Sequence, residues 1–75
     1  MMSAEAKFIK ALGNNIDRIR QEKGLSFQQM ALACDMEKAQ VYRLCKKGIN
    51  ITSTTLYKIA KGLEVSIQEL FGFKY

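Results

Sequence analysis

The sequence feature that most restricts how this chain can fold is a serine followed three positions later by glutamine or glutamate, which occurs twice. Ser26 with Gln29 and Ser66 with Glu69 each match the capping box, in which a serine hydroxyl and a long polar side chain together satisfy the first N–H groups of a helix. Each serine also follows an apolar residue able to pack across the first turn. These two positions therefore predict helix starts and leave little room for strands.

Helical periodicity accounts for the rest of the chain. We predict helices that begin near Glu5, Ser26, Glu37, Thr52 and Ser66. No run of four or more residues alternates convincingly between apolar and polar with turn signals on both sides, so strands are not expected. The predicted fold class is all-α, with five helices in one domain over residues 1–75 and a core from about residue 12 to residue 71.

Glycine and aspartate mark the predicted helix ends, because proline is absent. Gly24 suits the left-handed residue that closes a helix, and Asp35 belongs to a residue type that tolerates the same conformation in a turn. Gly62 is expected to mark the frayed end of the fourth helix. Gly13 and Asn14 are expected to loosen the first.

Size and charge limit the classes of function. A chain of 75 residues buries only about 60% of its unfolded surface, so help from a partner subunit would be unsurprising. The net charge of +5 favours polyanionic partners. No apolar run approaches the ~20 residues that span a bilayer, and the N-terminal segment has no secretory core, so we expect a cytoplasmic protein without a membrane partner.

Catalytic and metal chemistry have little support. The chain has no histidine, no glycine-rich phosphate loop and no acidic cluster, so we expect neither an enzyme nor a metal or other cofactor. Cys34 and Cys45 fall at apolar helical positions and are interpreted as small buried residues kept reduced, with a disulfide as the minor alternative.

A basic, acid-free segment points to nucleic acid. Between Lys38 and Leu63 there are six basic residues and no acidic one, which are Lys38, Arg43, Lys46, Lys47, Lys58 and Lys61. In the predicted third helix, small, aromatic and basic residues share one side, opposite an apolar side formed by Val41, Leu44 and Cys45. Such a helix fits the major groove of a DNA duplex. The alternative is an ordinary solvated face.

The second and third helices, with a turn of about four residues between them, have the helix-turn-helix arrangement. The segments LGNNIDRIRQEKGLSFQQMALACDMEKAQVYRLCKKG and TLYKIAKGLEVSIQELF resemble the Xre family of lambda-repressor-like and Cro-like DNA-binding domains. The resemblance runs from about Leu12 to Phe71. It implies a lambda-repressor-like fold and binding to double-stranded DNA.

The resemblance also implies roles for individual residues. Lys38, Ala39 and Arg43 correspond to positions that touch base edges, and Tyr42 beside them is a further candidate, with packing as its alternative role. Candidate phosphate contacts are Gln28, Gln40, Lys46, Lys47, Asn50, Thr52, Ser53 and Thr54. For the lysines the alternative is complementing the helix dipole, and for the hydroxyl residues it is helix capping.

Three positions depart from the family pattern. Phe27 stands where a phosphate-binding glutamine is usual, and we expect it to pack on the first helix or at a partner surface. Cys45 stands where an acid usually pairs with an arginine at the position of Arg20. Arg20 is then left to hydrate, to pair with an acid elsewhere or to reach the DNA backbone, and we favour a structural role. Asp35 replaces a turn glycine.

The C-terminal segment carries more apolar surface than one short helix can bury. A dimer interface is predicted from Ile67, Leu70, Phe71, Phe73 and Tyr75, with core packing inside one subunit as the alternative. The resulting hypothesis is a small bacterial or phage transcriptional regulator that binds a pseudo-palindromic operator as a homodimer, without a small-molecule ligand. The alternative is a protein-interaction module that has lost DNA reading. A binding affinity that falls steeply as salt rises would indicate the regulator, and salt-insensitive binding would indicate the interaction module.

Overall fold

The computed structural model describes residues 2–74, and within them the chain forms helices joined by short turns. The helices are α1 (Ala4–Glu22), α2 (Phe27–Cys34), α3 (Lys38–Lys47), α4 (Ser53–Leu63) and α5 (Ile67–Leu70). No strand occurs in this range. The all-α prediction with five helices is confirmed.

Hydroxyl side chains cap four of these helices, largely as the sequence predicts. The Ser26 hydroxyl accepts from the Gln29 N–H at 3.0 Å and the Ser26 N–H donates to Gln29 Oε1 at 2.8 Å, which completes the capping box. At Ser66 only the hydroxyl half of the box forms among the described residues, a 3.1 Å bond from the Glu69 N–H. Thr52 caps α4. Ser3 caps α1, which begins at Ala4, one residue before the predicted start near Glu5.

Left-handed residues lie at the ends of α1 to α4, and one of them is not where the sequence predicts. Gly24 (φ +70°) and Asp35 (φ 55°) take this conformation as expected. The prediction that α4 frays at Gly62 is wrong, because the helix continues to Leu63 and closes on Glu64 at φ 59°. The Glu64 N–H bonds to the carbonyls of Ala60 and Lys61, which stabilises this uncommon conformation.

Two glycines mark close approaches between helices. A side chain at Gly62 would place its Cβ 2.7 Å from the Ala33 carbonyl oxygen, so this glycine lets α4 lie against the end of α2. A Cβ at Gly13 would collide with the carbonyl oxygen of Leu44, where α1 crosses α3. The expected loosening at Gly13 is wrong: α1 is unbroken there, and its glycine serves packing.

The core lies between α1, α2, α3 and α4 and is closed by α5. Its buried apolar residues are Leu12, Ile16, Ile19, Met30, Ala31, Cys34, Val41, Leu44, Cys45, Ile59, Ala60, Leu63 and Leu70. Both cysteines are free and buried, as interpreted from the sequence. Since α3 directs its apolar side into this core, its opposite side faces solvent.

Candidate nucleic-acid interface

The outward side of α3 forms the surface that we call the reading face, defined by Lys38, Ala39, Tyr42 and Arg43. All four side chains are exposed, while Val41, one position from Tyr42, is fully buried. Helical periodicity produces this division, because residues three and four apart share a side. The geometry therefore presents two cations, a methyl group and a phenol on one rigid element.

The cations of the reading face have no competing partner in the described chain. The side chains of Lys38 and Arg43 make no hydrogen bond or ion pair with any residue from 2 to 74. Two other cations of the acid-free segment do find acids, which the fold brings in from outside it. Lys46 pairs with Asp17 at 2.9 Å, and Lys58 lies a loose 3.9 Å from Asp35.

The candidate phosphate contacts lie on both sides of the reading face along the chain. All of them are exposed except Gln40, which is half-buried. Lys47 follows Lys46 in the last turn of α3, where a cation also suits the helix dipole. Ser53 and Thr54 begin α4, where the first N–H groups of a helix have no partner within it. Such amides can bind a phosphate.

Thr52 has a structural role as well. Its hydroxyl accepts from the Thr55 N–H at 3.2 Å and donates to Thr55 Oγ1 at 3.0 Å. The hydroxyl is thus used as a helix cap, the alternative that the sequence left open for this residue. Any phosphate contact by Thr52 would have to share an oxygen that is already bonded.

Asp17 is a buried carboxylate that sequence reasoning missed. Its Oδ1 accepts from Arg20 Nε at 2.9 Å, and its Oδ2 accepts from Gln21 Nε2 at 3.0 Å and from Lys46 Nζ at 2.9 Å. Burial acts to raise the pKa of Asp17, but the hydrogen bonds and charges of Lys46 and Arg20 outweigh it and hold the pKa below its usual value. Asp17 therefore ties the end of α3 to α1 as a charged group.

Arg20 has the structural role that the sequence favoured. It pairs with Asp17, its Nη1 donates to the Leu25 carbonyl at 2.7 Å, and its guanidinium lies 4.1 Å from the centre of the Phe27 ring. The acid that Cys45 cannot supply is thus provided by Asp17 on the same helix. The spacing of Asp17 and Arg20, three residues apart on α1, was the available sequence signal.

Phe27 packs on the first helix, as expected, and also on the third. Its ring meets the Tyr42 ring edge to face, with centroids 5.4 Å apart. The Phe27 ring also contacts the Arg20 guanidinium, and the Lys46 ammonium lies 5.9 Å from the ring centre. Tyr42 therefore packs, which is the alternative role that the sequence left open for it, while 45% of its surface stays exposed.

The buried thiol of Cys45 lies beside this network. Burial, and then the negative charge of Asp17, raise the pKa of Cys45 to about 12. The thiol therefore stays protonated near neutral pH and acts as a small apolar group.

The predicted dimer residues divide into two groups. Leu70 is fully buried within the chain and is a core residue, so it has no surface to offer a partner. Ile67 is 45% exposed and Phe71 36% exposed, and Phe71 and Phe73 pack with Phe8 of α1 at centroid distances of 6.2 and 5.7 Å. Tyr75 lies outside the described residues. Core packing thus accounts for part of this aromatic segment.

Asn15 fixes the C-terminal segment in place. Its side-chain Nδ2 donates to the carbonyls of Glu69 at 2.9 Å and Leu70 at 2.8 Å, the last carbonyls of α5. The Glu69 carbonyl also accepts from the Gly72 N–H at 3.3 Å, so Asn15 adds a side-chain bond to the backbone bonds at this helix end. The apolar residues around Phe71 are therefore presented by an anchored segment.

Comparison with known proteins agrees with this geometry. The family model for the Cro/C1-type HTH DNA-binding domain matches residues 15–74. No curated protein sequence gives a significant match. In the described chain, no helix is long and apolar enough to cross a membrane.

Solved structures with the same fold include restriction-modification controller proteins and a transcriptional regulator. The restriction-modification controller protein C.AhdI from Aeromonas hydrophila is 24% identical, with a TM-score of 0.80, over 84% of this chain and 96% of that one. The controller protein C.Esp1396I is 28% identical, with a TM-score of 0.79, over 85% and 83%. An HTH_3 family transcriptional regulator from Vibrio cholerae is 29% identical, with a TM-score of 0.85, over 91% of this chain but 38% of its own.

Proposed function

Because this chain belongs to the Cro/C1-type helix-turn-helix DNA-binding family, we propose that it is a transcriptional regulator that reads a pseudo-palindromic operator as a homodimer, with α3 in the major groove. The observation that carries the proposal is that Lys38 and Arg43, on the outward side of α3, have no ion-pair partner among residues 2–74. Lys38 and Arg43 project from a helix whose other side is locked into the core. The outputs open to such a regulator are repression, autoregulation, restriction-modification control and antitoxin-like regulation.

Base reading is assigned to the reading face. Arg43 and Lys38 can donate to O6 and N7 of guanine, and the Ala39 methyl can meet a thymine methyl. Each good bidentate contact discriminates between bases by ~1 to 3 kcal/mol. Tyr42 is exposed enough to contribute a further base or phosphate contact. These four residues would therefore set the sequence preference.

Phosphate binding is assigned to residues on either side of the reading face. Lys47 supplies a cation with no acid partner in the described chain, and Ser53 and Thr54 supply hydroxyls and helix N-terminal amides. Gln28, Gln40, Lys46, Asn50 and Thr52 complete the proposed set. These contacts would fix the register of the protein on DNA and make binding depend steeply on salt.

The dimer is assigned to the exposed part of the C-terminal segment, Ile67 and Phe71 with Phe73 beside them. A chain of this size has a limited core, and a second copy would cover the apolar surface that its own fold leaves exposed. A symmetric pair would present two α3 helices to half-sites about 34 Å apart. Leu70 takes no direct part, because it is buried.

Selection of bound duplexes from a random pool, carried out at two salt concentrations, tests the proposed function. We expect a motif of two related half-sites in inverted orientation, and affinity that falls steeply as salt rises. Recovery of unrelated sequences, together with binding that is insensitive to salt, would contradict DNA reading and favour the protein-interaction module.

The dimer assignment has its own test. Ile67→Glu places a charge on the proposed interface, and Leu32→Glu places the same charge at an apolar residue of α2 that is 73% exposed. We expect sedimentation to show that the first variant is monomeric while the second still dimerises. Dissociation caused by Leu32→Glu alone would move the interface to α2.

A further inference from the structure

We propose that Phe27 is a positioning residue for DNA reading, which holds the Tyr42 ring, together with the Lys46 ammonium, in the orientation in which they meet the duplex. This inference rests on the proposed function. It gives a role to a residue that departs from the family pattern, since the Phe27 side chain has no group that could hydrogen-bond a phosphate.

The contact between Phe27 and Tyr42 is the first step. The two rings meet at an interplanar angle of 76°, with centroids 5.4 Å apart, which is the favourable edge-to-face arrangement. Phe27 is the first residue of α2, whereas Tyr42 lies on the exposed side of α3. The contact therefore bridges the two helices of the helix-turn-helix and restricts a side chain that would otherwise rotate freely in solvent.

Phe27 is itself held in place by a residue of α1. The Arg20 guanidinium lies 4.1 Å from its ring centre and cannot drift away, since it bonds to Asp17 and to the Leu25 carbonyl. The ring also packs against the edge of the core. Because Phe27 is fixed by its contacts with α1, it restricts the motion of the Tyr42 ring that it contacts.

Lys46 shares the same support. It lies one turn beyond Tyr42 on α3, its ammonium is 5.9 Å from the Phe27 ring centre, and its Nζ bonds to Asp17 at 2.9 Å. Tyr42 and Lys46 are therefore fixed before DNA arrives, and less side-chain freedom remains to be lost on binding. A positioning effect on affinity follows from this preorganisation.

A double-mutant cycle of Phe27→Leu and Tyr42→Ala, measured on the selected duplex, tests the inference. Leucine keeps an apolar side chain against the core but removes the ring contacts. We expect Phe27→Leu to weaken binding about threefold to tenfold in the wild-type background. In the Tyr42→Ala background its effect should be clearly smaller, because only the support of Lys46 remains to be lost. Equal effects in both backgrounds, or no effect in either, would overturn the proposal.

A stability control separates positioning from loss of fold. Ile59→Val removes one buried methylene from α4, away from the reading face, and should lower the melting temperature while leaving affinity unchanged. Phe27→Met serves as the second variant where Phe27→Leu is too unstable to assay, and the same non-additivity is expected of it.

A measurement without DNA completes the design. Because the Phe27 ring lies beside Tyr42, the ring proton resonances of Tyr42 should shift in Phe27→Leu in the free protein, and unchanged resonances would contradict the contact. Failure of the wild-type chain to select any duplex would instead count against the proposed function, so the two failures are distinguishable.

Discussion

Two groups of exposed side chains on α3 differ in how they are held. Lys38, Ala39 and Arg43 make no side-chain hydrogen bond or ion pair with the rest of the described chain, whereas Tyr42 and Lys46 are tied to Phe27 and Asp17. In the proposed complex, Lys38 and Arg43 would adapt to the bases that they meet, but their side chains would lose rotamer freedom on binding. The second group loses that freedom during folding. The same helix thus combines side chains that are free of internal bonds with side chains that are preset by them.

The largest expected effect is a loss of stability on removal of Asp17, the residue that binds Lys46. Asp17→Ala removes the common partner of Arg20 and Lys46 and leaves a largely buried guanidinium without its charge partner. We expect the free energy of unfolding to fall by about 3 kcal/mol, the low end for breaking a buried ion pair, because water still reaches Lys46. Urea denaturation measures it.

The matched control is another acid of α1 that pairs with an arginine. Glu22 lies against Arg18 with both side chains more than half exposed, at 60% and 51%. Glu22→Ala should change stability by less than about 0.5 kcal/mol. Equal losses from the two substitutions would show that Asp17 is not a special anchor and would remove the contrast between the two groups.

A smaller effect distinguishes two adjacent lysines. Lys47→Ala should lower the slope of log affinity against log salt by about 1, because it removes one cation that neutralises a phosphate. Lys46→Ala should lower it by clearly less, since Asp17 already balances the charge of Lys46. Binding titrations at several salt concentrations measure both slopes. Equal changes in the two variants would contradict the claim that Asp17 already neutralises Lys46.

The smallest effect is a pH dependence of stability. The pKa of Asp17 in the folded chain lies below its ordinary value of 3.8, so the unfolded chain takes up this proton first as pH falls. The stabilisation from Asp17 is complete above that value and is lost as pH falls through the lower, folded pKa. The stability difference between wild type and Asp17→Asn should therefore shrink between pH 5 and pH 2. A constant difference would mean that Asp17 does not act through its charge.

Local signals predicted most of the fold. Ser26, Thr52 and Ser66 cap helices because a hydroxyl satisfies N–H groups three residues away, and Val41 and Leu44 point inward because helical periodicity places them on one side. Both effects depend on neighbours in sequence. The residues of the reading face could be chosen for the same reason, as the side opposite the apolar one.

Contacts between distant segments were not predictable in this way. Asp17 and Lys46 are 29 positions apart, and only the crossing of α1 and α3 brings them together. Gly62 was misread as a helix end because its role depends on the Ala33 backbone of another helix. The burial of Leu70 likewise depends on where α5 docks. The sequence therefore predicted which side chains of α3 are exposed, and it did not indicate the interactions that hold Tyr42 and Lys46.

The affinity of Arg43→Ala for the selected duplex, and for the same duplex with one guanine replaced, tests DNA reading by α3 most directly. We predict a loss of about tenfold to a hundredfold on the selected duplex, a smaller preference between the two duplexes and an unchanged melting temperature. Lys23→Ala, which removes an equal charge from the end of α1, should bind as wild type does. Wild-type affinity and an unchanged base preference in Arg43→Ala would contradict the assignment of α3 as the reading helix.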